Sequence, residues 1–269
     1  MTSVPLAGQH VLVTRPAGQA DDFRALLEGA GATVTTAPAI RLVPPSDPGA
    51  LGRAAARLAE YDWVVTTSVN AVRRLAEAAS EADAMGALAT GRLAAVGPAT
   101  ADALCALGVA ECLVPTVYRG EALADEIAAA TGPGRLAEAR ILVVQAERAR
   151  PVLRERLVAA GARVDVAPAY AVEVNRDVRD ALREFIELGR GDWLTFTASS
   201  AARAFVQLVG AQTGGALVAA ISPVTAATLS GLGLPVHVVA ATHSMPGLVD
   251  ALVASAARPG RLAATHGNA

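Results

Sequence analysis

Residues 11–40 read VLVTRPAGQADDFRALLEGAGATVTTAPAI, and residues 141–170 read ILVVQAERARPVLRERLVAAGARVDVAPAY. Aligned without gaps, the two stretches share eleven of thirty positions. Four of these are alanines in an alanine-rich chain and carry little weight. The other seven include Gly31 with Gly161, where a helix ending needs a residue tolerant of positive φ, and Pro38 with Pro168, where a strand leaves its sheet. Each window opens on a short apolar run. In the first, apolar residues at helical spacing (Phe23, Leu26, Leu27, Ala30) follow, and a second strand-like run closes the window.

The match extends outward from these windows. DWVVTTSVNAVRRL (62–75) answers DWLTFTASSAARAF (192–205), LAAVGPATADALCALGV (93–109) answers VAAISPVTAATLSGLGL (218–234), and EALADEI (121–127) answers PGLVDAL (246–252). The chain thus repeats one plan in which strands alternate with helices, the pattern of parallel sheets covered on both faces. The expected fold class is α/β, with two similar open, doubly wound, flavodoxin-like domains. Periodicity alone places the cut between them near Pro133.

With 269 residues, 53% of them hydrophobic and 18% charged, the chain has apolar material for two cores. No run is long enough to cross a bilayer, and the first residues lack a basic, then apolar, leader, so a cytoplasmic protein with no membrane partner is expected. A net charge of −2 and 3% aromatic residues argue against a nucleic-acid partner, while leaving room for a local cationic pocket that holds a small anion. Cys105 and Cys112 read as two reduced thiols. The four histidines, His10, His237, His243 and His266, have no metal-ligand spacing, and no P-loop or G-x-S-x-G is present. GAGAT at 29–33 follows a helix instead of a strand and lacks the third glycine of a dinucleotide fingerprint. Neither metal nor cofactor is expected.

Hydroxyls cluster where strands give way to helices: Thr66, Thr67 and Ser68 in one copy, Thr197, Ser199 and Ser200 in the other. Two readings stand, helix N-caps or a ligand-binding rim at the carboxyl ends of the strands. The turns VGPAT (96–100) and ISPVT (221–225) place Pro98 and Pro223 in a first helical turn. They offer the amides near Ala99, Thr100, Val224 and Thr225 to carboxylates, or serve only as tight turns. Tyr170 stands where the first copy has Ile40, so the repeat itself does not call for a phenol. It is either a proton donor or an amphipathic residue packed at a domain boundary.

In the order VLVTRP, VVTTSVNAV, AAVGPATADAL, VAPAYAV, FTASSAARAF and AAISPVTAATLSGLGL, the chain resembles the uroporphyrinogen-III synthases over residues 10–252. The resemblance implies a discontinuous domain 1 of residues 1–42 with 173–269, a domain 2 of residues 43–172, and a two-stranded hinge near 40–43 and 169–174 with the substrate in the cleft. Residues 11–13 and 193–196 would share one sheet, and residues 141–144 and 63–65 the other. It implies cyclisation of hydroxymethylbilane, a linear tetrapyrrole, to uroporphyrinogen III, with loss of water and inversion of the last ring, and with no cofactor. Tyr170 matches the family's functional tyrosine. The implied substrate-binding set is Thr14, Arg15, Thr67, Ser68, Gly97, Thr100, Thr197, Ser199, Ser200, Ser222 and Thr225. Ser222 departs from a usual glycine and Thr197 from a common serine. A monomer that takes its substrate by transient handover from hydroxymethylbilane synthase is expected. The competing expectation is a non-catalytic module of the same fold that binds a tetrapyrrole or small anion; the short tail beyond 252 leaves no room for a helix-turn-helix extension that would favour it.

Overall fold

The computed structural model describes residues 4–16, 18–132, 134–189 and 191–257. Along the chain β1 (His10–Val13), α1 (Asp21–Gly29), β2 (Thr33–Thr36) and β3 (Ile40–Val43) are followed by α2 (Ala50–Ala55), β4 (Trp63–Thr66), α3 (Val69–Glu81), α4 (Met85–Thr90), β5 (Leu93–Ala95), α5 (Pro98–Cys105) and β6 (Cys112–Leu113). Then come α6 (Gly120–Thr131), β7 (Arg140–Ala146), α7 (Val152–Ala159) and β8 (Arg163–Val174). The last part holds α8 (Arg179–Glu187), β9 (Trp193–Phe196), α9 (Ser199–Val209), β10 (Leu217–Ala220), α10 (Pro223–Gly231), β11 (Val238–Val239) and α11 (Met245–Ala256).

The chain divides into two compact units, Met1–Arg41 with Glu173–Ala269, and Leu42–Val172. The first contains a five-stranded sheet in the order β11-β10-β9-β1-β2, with β1 in parallel register against β9 (Val11 opposite Trp193). Counted by position along that unit, this is the flavodoxin-like order. The second contains β3-β8-β7-β4-β5-β6, with β7 parallel to β4 (Trp63 opposite Ile141). Setting β3 aside, its strands stand in the positions of the first sheet, with the chain entering at a different strand.

The period's cut near Pro133 is not where the units divide. Pro133 itself lies outside the described residues, but β7 and β8, beyond it in sequence, pair with each other and with β4. The division falls inside β3 and β8, which are neighbours in the second sheet. A repeat in sequence fixes what the strands look like and leaves open which copy's sheet each one joins.

Helices cover both faces of each sheet. In the first unit Leu12, Leu194, Phe196, Phe205 and Leu208 pack on one face, and Val11, Val13, Phe23, Leu27, Trp193 and Leu252 on the other. Alternation along β1 and β9 sends successive side chains to opposite layers, which is why these strands are mostly apolar, with Thr195 a buried polar exception. The rings of Phe196 and Phe205 meet edge to face at 5.3 Å. Burial of each such side chain is worth about 1.5–3 kcal/mol. The second unit repeats this, with Val64, Leu75, Leu104, Leu142 and Val144 on one face and Trp63, Val65, Leu123, Ile141 and Val143 on the other.

The glycine pair from the repeat sits where expected, Gly31 at φ +94° and Gly161 at φ +101°, just after α1 and α7. A Cβ on Gly161 would also come within 3.3 Å of Ala137 Cα. Gly161→Ala should therefore destabilise the protein by about 1–2 kcal/mol through the left-handed backbone alone, read as a lower urea midpoint with an unchanged slope.

Candidate active site

In a doubly wound sheet, ligands gather outside the carboxyl ends of the strands, where helices begin and backbone donors lack helical partners. Every residue singled out in the turns lies on these ends. Their chemistry differs between the two units, each taken here by itself.

In the first unit Thr14 follows β1 and is buried; its hydroxyl donates to Thr195 O at 2.9 Å, and Thr195 Oγ1 donates back to Leu12 O at 2.8 Å. These bonds tie β1 to β9, so the Thr14 hydroxyl is already engaged. Arg15 is half-buried. Its Nε donates to Gln19 O at 2.9 Å and its Nη1 contacts Met245 Sδ at 3.4 Å, both neutral acceptors. Burial lowers the guanidinium pKa, with the charge of Asp22 opposing. Such a cation, held in place without a hydrogen-bonded carboxylate among the described residues, is poised to take an anion.

Helix α9 opens at Ala198, which has no side-chain cap. Its equivalent in the other copy is Ser68, so the apparent symmetry of the two hydroxyl clusters is displaced by a residue. Ser199 lies in the first turn and bonds Thr228 Oγ1 at 2.8 Å; Thr197 and Ser200 beside it are partly exposed. Ser222 caps α10, accepting from Thr225 N at 3.3 Å, and its Oγ lies 3.2 Å from Thr225 Oγ1.

In the second unit Ser68 caps α3, accepting from Ala71 N at 3.1 Å, and its Oγ lies 3.0 Å from the Tyr170 hydroxyl. Tyr170, on β8, is 8% exposed and packs in the core layer with Leu75, Leu142 and Val144. The fold thus brings together two residues 102 apart in sequence, one from each hydroxyl-bearing element. Thr67 is partly exposed and its amide donates to Val144 O at 3.3 Å. Gly97 opens α5 in an extended conformation with no side-chain cap, and a Cβ there would lie 3.8 Å from the Tyr118 ring.

Not all of the expected free amides are free. Thr100 N donates to Gly97 O at 3.1 Å and Thr225 N to Ser222 Oγ, and both threonines are buried. The exposed donors are one residue earlier: the amides of Ala99 and Val224 make no hydrogen bond to another described residue. The sequence also passed over Gln145, which answers Arg15 in the repeat and could have been found by that pairing. Among the described residues no group of histidine, cysteine, aspartate and glutamate could hold a metal ion, and no helix is long and apolar enough to cross a membrane.

These turns offer hydroxyls, helix-opening amides and one arginine, a set suited to carboxylates, with a phenol and a serine hydroxyl in contact. Residues 21–250 match the family model described as Uroporphyrinogen-III synthase HemD. The chain is 30% identical over 261 residues to the uroporphyrinogen-III synthase of Synechococcus elongatus, an alignment that covers 94% of this chain and 97% of that one. Among solved structures, a mutant uroporphyrinogen III synthase from Thermus thermophilus superposes with a TM-score of 0.63 at 23% identity, over 92% of this chain and 98% of that one. The Helicobacter pylori enzyme does so at 0.59 and 19%, over 92% and 99%. The solved structures bear on the fold, and the family model and the Synechococcus relative bear on descent: the chain belongs to the uroporphyrinogen-III synthase family.

Proposed function

We infer that the protein is a uroporphyrinogen-III synthase, a lyase that closes hydroxymethylbilane to uroporphyrinogen III in tetrapyrrole biosynthesis. The observation that carries this is the 30% identity that runs through nearly all of both chains, with the family match over residues 21–250. The substrate loses its terminal hydroxyl as water, the last pyrrole ring is inverted through a spiro intermediate, and the macrocycle closes. Atoms balance as substrate minus water with no net oxidation. Departure of the hydroxyl is driven by the electron-rich pyrrole, so the protein's share is to orient the chain, assist the leaving oxygen and limit access of water.

Within this reading the Ala99 and Val224 amides, Arg15 and the partly exposed hydroxyls of Thr67, Thr197, Ser200 and Ser222 take substrate carboxylates. Gly97, Thr100, Ser199 and Thr225 shape the turns that present them, and Thr14 fixes the end of β1. Tyr170 is the residue for the leaving hydroxyl: its phenol is polarised by Ser68, which is itself anchored by the first turn of α3. One chain carries both sets of turns, which suits a monomer. The free thiols of Cys105 and Cys112 suit a cytoplasmic setting, and an open-chain substrate that closes on its own favours direct handover from hydroxymethylbilane synthase.

Freshly generated hydroxymethylbilane, supplied with no added metal or cofactor, should give predominantly isomer III after oxidation and separation. Isomer I alone, at the spontaneous rate, would leave the chain a non-catalytic relative. Tyr170→Phe keeps the ring and its packing, so the fold should survive with a stability loss of about 1 kcal/mol, while turnover falls roughly 10²-fold and the share of isomer I rises. Arg15→Ala should mainly raise KM, lowering kcat/KM by roughly 10- to 100-fold through loss of a charge-assisted contact, as read by steady-state kinetics at fixed ionic strength.

A further inference from the structure

Side chains alternate along the first part of β8. Val164 and Val166 pack on the layer of α6 and α7, and Ala167 and Ala169 on the layer of α2 and α3. By that alternation Tyr170 would join Val164 and Val166. It packs instead on the same layer as its neighbour Ala169, where its phenol meets Ser68 Oγ at 3.0 Å.

The cause is an irregularity in the ladder. Gln145 faces Pro168 and Ala146 already faces Tyr170, so Ala169 is an extra residue on β8. One inserted residue turns the side chain that follows it to the other face.

The turned segment is held by Glu147, the first residue after β7. Its backbone amide donates to Tyr170 O at 2.8 Å, and its Oε1 accepts from the amide and the hydroxyl of Ser46, at 2.6 and 2.5 Å. The Ser46 bonds hold the Glu147 carboxyl below its ordinary pKa. Ser46 follows β3 and Glu147 follows β7, and β8 lies between these two strands, so the bond links the two flanks of Tyr170's strand. Glu147 answers Ala17 in the repeat, and the shared plan therefore does not call for a carboxylate there.

We propose that Glu147 is a positioning residue for Tyr170. Tied to Ser46 by its carboxylate, it fixes the amide that holds the Tyr170 carbonyl, and this keeps the phenol aimed at Ser68 and the leaving hydroxyl. Both Ser46 bonds end on one oxygen, so the position requires an acceptor and not a charge. The part Glu147 plays in turnover rests on the proposed function, while its hold on the phenol does not.

The test uses the full chain with ¹³C-labelled tyrosine rings, the Tyr170 signal being identified by its loss in Tyr170→Phe. In Glu147→Ala the Tyr170 ring signal should shift, and in Glu147→Gln it should stay in place. Tyr61 and Tyr118 should be unmoved in both. Ser46→Ala removes one of the two bonds and should shift Tyr170 in the same direction by less, which keeps the test open if Glu147→Ala does not fold. An unmoved Tyr170 signal in Glu147→Ala, or equal shifts in the Ala and Gln variants, overturns the proposal whatever the activity of the wild type. Where the wild type forms isomer III, Glu147→Ala should lower kcat about tenfold through misplacement of the phenol, raise the share of isomer I and leave KM little changed. Glu147→Gln should restore turnover. In the Tyr170→Phe background Glu147→Ala should cost little more, because its effect passes through the phenol. An equal loss of kcat in both backgrounds would make Glu147 a general support of the fold and overturn the proposal. A wild type that forms isomer I alone would refute the proposed function and leave the ring signals to decide what Glu147 holds.

Discussion

A parallel sheet buried on both faces has nowhere to place polar chemistry except at its ends. In each unit the central strands are mostly apolar on both sides because helices cover both sides, and backbone donors left over by secondary structure collect where a strand stops and a helix starts. The hydroxyls, amides and arginine of the candidate site occupy those positions for that reason. The residues that could hold carboxylates are also the ones that end elements: Ser68 and Ser222 cap helices, and Thr14 locks β1 to β9.

Duplication supplies an internal control. Where both copies need the same backbone geometry they keep the same residue, as with Gly31 and Gly161 at left-handed φ. Where they differ, architecture is not the cause. Ile40 becomes Tyr170, Arg15 becomes Gln145, Ala198 stands where Ser68 caps, and Ser222 caps where Gly97 does not. The second unit thereby gains a phenol in contact with a cap serine, and a glutamine where the first has its arginine. The first keeps a half-buried cation with neutral partners. A shared scaffold has been specialised at its strand ends.

Much of this was legible in the residues. Alternation of apolar runs with helical spacing gave the α/β class and the parallel sheets, because period and burial are tied by geometry. The sheet membership of β7 and β8 was not in the period, since a strand's apolar pattern does not name its neighbour, and the cut near Pro133 followed from that gap. The turns were located correctly as strand ends, but which donors remain free depends on local bonds. Thr100 N and Thr225 N are satisfied within their own turns, and Ala99 and Val224 carry the free amides instead. Gln145 escaped notice because a glutamine inside an apolar run has no motif, and the irregularity in the ladder at its position shows only in three dimensions.

In the proposed function, carboxylates of the tetrapyrrole are held by the helix-opening turns at the strand carboxyl ends. Uroporphyrin III, the stable oxidised form of the expected product, can be titrated into ¹⁵N-labelled protein while backbone amides are followed by NMR. The amides of Ala99 and Val224 should move strongly and saturably, while those of Asp62 and Asp192, at the opposite ends of the sheets and already bonded to Arg140 O and His10 O, should stay in place. Saturable shifts confined to the Asp62 and Asp192 ends, with Ala99 and Val224 unmoved, would contradict it.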